Sequence, residues 1–241
     1  MQIVRKLSLL GLALSVAACG SVEVPTRNAP FESLPDTSLS APQGYLQLNP
    51  SAAAVPTTVG TSGFAGLVPG QSPVTVSSVI VRVPRALKVS EANRYLPRGD
   101  IVWRGDPIGD RHAQVQKIFQ DSLKTGVAPL HGPVKVVVDI QVLRFHALTE
   151  KARYTTGGVH SITFDLAIKH PETGELLVPV RTVRADLDGF GGQQALQAEA
   201  RGLTQKVRIS NHLAEVIRQE LSNPEGYKNA SLGFYQLLNN L

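Results

Sequence analysis

A chain of 241 residues with 42% hydrophobic and 18% charged residues carries enough apolar material for one folded core. The formal charge of +5 is spread without a long basic run, which argues against a nucleic-acid partner. The single cysteine, Cys19, excludes an internal disulfide framework and leaves no second thiol for a CxxC metal or redox site.

Met1 to Ala18 has the three parts of a secretory signal. Arg5 and Lys6 make a basic start, and Leu7 to Val16 is apolar but too short to cross a bilayer core of ~30 Å as a helix. Ala17 and Ala18 lead into Cys19. The order Val16-Ala17-Ala18-Cys19 resembles a bacterial lipobox, in which the cysteine thiol takes up diacylglycerol before cleavage. The resemblance implies a signal peptide over 1–18 and lipid attachment at Cys19. Two or three acyl chains, at ~0.8 kcal/mol per buried methylene, hold a protein stably to a membrane. Removing Arg5 and Lys6 lowers the formal charge from +5 to +3. Gly20 follows where an Asp would favour inner-membrane retention, so the periplasmic face of the outer membrane is the expected location.

Residues 19–73 read as a lipidated cysteine followed by a disordered tether. Half of the 16 prolines fall between Cys19 and Val74. Charges are sparse there, and no period of 2 or 3.6 is sustained, so little apolar surface can be buried against the ordering entropy. A coil of this length averages ~40 Å end to end. Only Tyr45-Leu46-Gln47-Leu48 shows a short alternation that could add a strand.

From Val74 onward about 165 residues suit a single domain, 74–241. Val74 to Pro84 predicts a strand with Val79, Val81 and Val83 on one face. A turn-rich crossing follows, in which Trp103 is expected as a buried docking side chain. A helix then starts with Asp106 as N-cap and Pro107 in its first turn, buries Val115, Ile118, Phe119, Ser122 and Leu123, and stops at Gly126. Val134, Val136, Val138, Ile140 and Val142 alternate strictly, whereas Leu143, Phe145 and Ala147 continue on odd numbers, a phase change that predicts a β-bulge.

Gly157-Gly158 predicts a two-residue hairpin turn. Ile162, Phe164, Leu166 and Ile168 form the returning strand, and Pro171-Glu172-Thr173-Gly174 turns into a third, from Leu176 to Leu187. Pro179 cannot donate to a ladder and places that strand at an edge. A long helix is expected from Gln193 to Leu221 with Leu196, Ala200, Leu203, Val207, Ala214, Ile217 and Leu221 inward, ended by Asn223-Pro224. Phe234, Leu237, Leu238 and Leu241 could add a last amphipathic turn. The order β-α-β-β-β-α predicts an α+β fold: an antiparallel sheet with helices packed on one face.

A tight hairpin would set Lys151 and Arg153 at its projecting end, with Tyr154 beside them on the opposite face. These three are the candidate contact for an anionic headgroup or a partner protein; solvated charges that prevent edge aggregation are the plainer reading. The six histidines, at 112, 131, 146, 160, 170 and 212, show no HExxH or paired-ligand spacing, and His146 and Glu150 would stand ~13 Å apart along a strand. No metal or cofactor is therefore expected. Gly189-Phe190-Gly191-Gly192 before the last helix matches neither GxGxxG nor a P-loop, and a glycine-rich turn needs no ligand. No GxSxG elbow occurs. No catalytic residue is assigned, and a non-enzyme is expected.

Three stretches carry a further likeness: Arg27-Asn28-Ala29-Pro30-Phe31-Glu32, Gly109-Asp110-Arg111-His112-Ala113-Gln114-Val115, and the run from Arg144-Phe145-His146 to Ala152-Arg153-Tyr154. They resemble a family of bacterial lipoproteins known only as a domain of unknown function, which implies no reaction or ligand. More remotely, the element order is similar to auxiliary lipoproteins of envelope lipid-transport systems; fold alone does not fix function. The expected function is a membrane-anchored, non-enzymatic envelope module that binds a protein partner, in lipid transport or outer-membrane assembly. A periplasmic lipid- or small-ligand-binding protein is the alternative.

Overall fold

The computed structural model describes residues 73–233 and Gln236. The expected signal peptide, Cys19, the expected tether up to residue 72 with its Tyr45-Leu46-Gln47-Leu48 alternation, and the apolar residues Phe234, Leu237, Leu238 and Leu241 lie outside the described residues. Among the described residues, six strands and four helices make an α+β fold. Strand β1 (Val74–Arg82) is followed by a short strand β2 (Ile101–Val102), helix α1 (Arg111–Val127) and the long central strand β3 (Val134–His146). A short helix α2 (Glu150–Arg153) precedes β4 (Gly158–Lys169), β5 (Leu176–Arg184) and β6 (Leu187–Gly189). Helices α3 (Gly192–Ala200) and α4 (Gln205–Ser222) follow.

The sheet order is β1-β3-β4-β5, with β2 on β3 and β6 on β4. It is mixed, not antiparallel throughout. Val74 stands beside Val134 and Val81 beside Ile140 in a parallel pair, and β2 also runs parallel to β3. The reason is the placement of α1: a helix between two strands returns the chain to the end where the first began, so the second runs the same way. The other neighbouring pairs, β3 with β4 and β4 with β5, are antiparallel, the first joined by a loop over 147–157 and the second by a short turn. At Pro171–Gly174 the Gly174 amide donates to the His170 carbonyl at 3.0 Å. Pro179 lies on the terminal strand β5 at a break in its register, where no ladder donor is needed.

The bulge falls where the hydrophobic phase changes. Val142 pairs with Phe164 and Arg144 with Thr163, leaving Leu143 as the extra residue. Val138, Ile140, Val142 and Phe145 are all fully buried as a result. Phe119 of α1 meets Phe164 edge-on at 5.6 Å and Phe145 at 6.1 Å, and the buried Trp103 ring meets Phe145 at 5.7 Å. Burying each such ring stabilises by roughly 2–3 kcal/mol.

Helix α1 begins later than its expected start. Asp110, not Asp106, caps it, accepting from the Ala113 amide at 3.1 Å. Asp106 instead accepts from the Trp103 indole at 2.9 Å and from Lys206 of α4 at 2.7 Å. A carboxylate with two such partners ties the crossing loop to α4. Gly126 is not a stop either: it is buried inside α1, which runs on to Val127.

The expected single helix over 193–221 is two. The chain breaks at Gly202, whose φ is +78°, and restarts at Thr204, whose hydroxyl accepts from the Val207 amide. Ile209, Leu213, Val216, Ile217 and Leu221 of α4 pack inward. Leu196, Ala200, Leu203 and Val207, expected inward, are exposed because the break re-phases the face.

Candidate binding cleft at α2, α3 and α4

The tight Gly157-Gly158 hairpin does not form. Phe145 pairs with Ile162 and Ile140 with Leu166, so residues 147–157 make a loop and Lys151 and Arg153 never enter the ladder. The loop holds α2, capped by the Thr149 hydroxyl accepting from the Ala152 amide at 3.3 Å. Gly157, at φ +72°, ends it by donating to the Ala152 carbonyl at 2.8 Å. Gly158 pairs with Gly189 of β6 instead. The glycines at 157, 189 and 191 are there for close backbone packing: a methyl on Gly157 would stand 2.5 Å from the Gly189 carbonyl oxygen.

The three candidate contact residues part company on α2. Lys151 is exposed, with its ammonium 4.7 Å from the Tyr95 ring centre and its amide donating to Asn93 at 2.8 Å. Arg153 turns the other way. Its guanidinium lies 4.7 Å from the Tyr154 ring centre, donates to the Tyr154 hydroxyl at 2.9 Å, and pairs with Glu199 of α3 at 3.3 Å. The Tyr154 hydroxyl also donates to Glu199, at 3.3 Å. Arg153 is thus a tie between α2 and α3 and not a free projecting cation.

Behind this tie lies a small cleft whose lining includes Arg153, His160, Phe190, Leu203, Gln205 and Arg208. His160 is 1% exposed. Its Nδ1 accepts from the Leu148 amide at 3.2 Å, so the neutral ring carries its proton on Nε2. Burial first, and then Arg208, His212 and Arg153, push its pKa down to about 3, which keeps the ring neutral. Arg208 stacks its guanidinium 3.4 Å from the Phe190 ring centre and donates to the Asp188 carbonyl at 2.7 Å. Burial lowers the Arg208 pKa, and the charge of the Asp188 carboxylate acts in the opposite direction. Gln205, the first residue of α4, is 4% exposed, and its Oε1 has no hydrogen-bond partner among the described residues.

The cavity volume of the cleft is about 10 Å³. That is room for about one water, far below the ~300 Å³ of a small-ligand pocket. An acyl chain does not fit.

Sequence reasoning missed His160, Gln205 and Arg208 as a group. Gln205 and Arg208 are three apart and share a helix face, but only once the helix start at Gln205 is known. His160 comes from another strand, and no spacing links it to them.

A model of a family of unknown function, DUF6778, matches residues 74–237. The chain belongs to this family. Two of the stretches that carried the sequence likeness, Gly109–Val115 and Arg144–Tyr154, lie within the match, and Arg27–Glu32 precedes it. No curated protein matches the chain. Among solved structures, a candidate lipoprotein from Caulobacter crescentus CB15 is 14% identical, with 44% of this chain and 80% of that chain covered at a TM-score of 0.28. Protein XCC0632 from Xanthomonas campestris, of the DUF330 family, is 10% identical, with 65% and 87% covered at a TM-score of 0.38. The dodecamer of a PelC point variant from Paraburkholderia phytofirmans is 12% identical, with 61% and 92% covered at a TM-score of 0.27. No helix among the described residues is long and apolar enough to cross a membrane.

Proposed function

We propose that this DUF6778 protein is a lipoprotein of the cell envelope, anchored through Cys19 at the outer membrane, whose domain is a non-enzymatic module that binds a protein partner through the α2–α3–α4 surface. One observation carries the binding mode: apolar side chains are exposed around a cleft too small for a lipid. Leu203, 42% exposed, lines the cleft, Leu196 stands 47% exposed on α3, and Tyr154 is held upright by its bond to Glu199. Large side chains on a rigid scaffold suit a protein contact, where an aromatic or aliphatic anchor dominates the energy. The anchoring half of the reading is supported by the Val16-Ala17-Ala18-Cys19 run after a basic and apolar leader. The setting it fits is lipid transport or outer-membrane assembly.

The test is crosslinking in intact cells followed by mass spectrometry, alongside metabolic labelling with a fatty acid. Cys19→Ser is expected to abolish labelling and release the protein from membranes. Leu196→Arg with Leu203→Arg is expected to remove the crosslinked partner while labelling persists. An unchanged partner set in that double variant would overturn the contact surface, and an unlabelled wild-type chain would overturn the anchor.

A further inference from the structure

We infer that the loop between β1 and β2 is a contact for an anionic bilayer surface. The inference rests on the proposed anchor at Cys19 for bringing the domain to a membrane, and it concerns a different surface from the one offered to the protein partner. Its centre is the adjacent pair Tyr95 and Leu96, 47% and 53% exposed. The backbone is fixed on both sides of them. The Thr149 hydroxyl donates to the Arg94 carbonyl at 2.8 Å, and His146 Nε2 donates to the Pro97 carbonyl at 2.9 Å. Asn93 accepts from the Lys151 amide at 2.8 Å. A loop tied at these points cannot fold the pair inward, so the two side chains are presented ready for contact. Ile108, 92% exposed, adds apolar surface at the same end of the sheet, where Arg111 donates both to Glu91 of the loop and to the Pro107 carbonyl.

Charge identifies the surface that fits. Arg94, Arg98 and Lys151 flank the pair, Lys151 with its ammonium 4.7 Å from the Tyr95 ring centre, and Lys88 lies earlier in the same loop. All four are exposed and make no ion pair among the described residues. The carboxylates nearby are engaged, Glu91 by Arg104 and Arg111 and Glu150 by Arg104. Asp100, the other carboxylate of the loop, accepts from the Lys88 amide. The surface is therefore positive around an apolar tip. Such a tip enters the headgroup boundary while the long cationic stems keep their charges at the phosphates. A fluid bilayer accepts a protruding pair without a matching pocket, whereas a protein contact needs one. Arg153 and Tyr154 are tied to Glu199 on the other side of α2, so lipid and protein partner meet separate surfaces.

The experiment uses the full lipidated protein on vesicles of equal parts phosphatidylcholine and phosphatidylglycerol. With lipid on the Cys19 sulfur, an introduced cysteine is the one free thiol. Leu96→Cys is spin-labelled, and so is Glu172→Cys, exposed on the β4–β5 turn at the opposite end of the sheet. Paramagnetic resonance then reads collisions with a water-soluble nickel chelate. The label at 96 is expected to be shielded about 10-fold or more relative to the label at 172. Vesicles of phosphatidylcholine alone, or Arg94→Glu with Arg98→Glu, are expected to reduce the docked population about 10-fold or more. That double variant keeps the ties of the loop, which use backbone carbonyls. A label at 96 as open to nickel as the one at 172 overturns the contact, and equal shielding on pure phosphatidylcholine overturns its anionic preference. Shielding that arises only when another envelope protein is added gives the loop to a protein and likewise overturns the inference. Flotation separates this from the anchor: a chain that floats with the vesicles while its label at 96 stays open fails the loop alone, and one that does not float overturns the anchor and the contact together.

Discussion

Gly126 of α1 lies against the Ala214 carbonyl of α4 so closely that a methyl group on Gly126 would approach that backbone oxygen to less than 3.0 Å. The two helices share the buried layer formed by Phe119, Leu123, Leu213 and Ile217, so neither can retreat without opening the core. Gly126→Ala should therefore lower stability by about 1–3 kcal/mol, against the ~1 kcal/mol that alanine normally adds inside a helix. Urea unfolding gives the sign, and a variant as stable as the parent would disprove the close approach.

The break between α3 and α4 makes an opposite pair of forecasts from those of a continuous helix. Gly202 has φ +78° with nothing near its missing side chain, so Gly202→Ala costs about 1–2 kcal/mol from backbone strain alone. Thr204→Ala removes the cap of α4 and costs about 1 kcal/mol, while Thr204→Asp keeps it. In an unbroken helix both alanines would stabilise. Thermal melts of the three variants decide between the two.

Asp106 serves Trp103 and Lys206 and does not cap a helix. Asp106→Ala should cost about 1–3 kcal/mol by leaving the indole N–H and the ammonium without their acceptor. Asp106→Ser, an equally good N-cap residue, should not restore the loss. Recovery by serine in a denaturation series would return the helix start to Asp106.

Acid should destabilise the domain through its buried histidines. Burial, and then Arg144, push the His146 pKa down to about 4, and burial pushes that of His160 to about 3. A lowered histidine pKa means that the unfolded chain takes up the proton first. Stability from these groups is complete above the ordinary value near 6.5 and falls as pH drops from there towards 4, by about 1.4 kcal/mol per pH unit for each histidine. Unfolding free energies at pH 7, 6 and 5 measure the slope, and His146→Gln should flatten it. An equal slope in that variant would count against a neutral buried His146.

Elements whose signal is local were legible in the chain. The bulge at Leu143 showed as a change of hydrophobic phase, the buried stripe of α1 as a period of 3.6, and the edge position of β5 as one proline, because each is a property of a few consecutive residues. Membership in a family of unknown function was likewise written in short motifs, two of which fall inside the matched residues.

Tertiary structure decided the rest. Which of two aspartates caps α1 depended on Lys206, 100 residues away from Asp106, and the parallel pairing of β1 with β3 depended on where α1 packs. The end of β3 could not be read either: Gly157-Gly158 is a good turn dipeptide, but Gly189 and Gly191 approach it so closely that it serves a backbone contact instead. The cleft is the extreme case. His160, Gln205 and Arg208 come from a strand and a helix start that no local pattern relates. Periodicity records which face of an element is apolar, and it contains no information on which polar residues from distant elements are brought face to face when those apolar surfaces are buried.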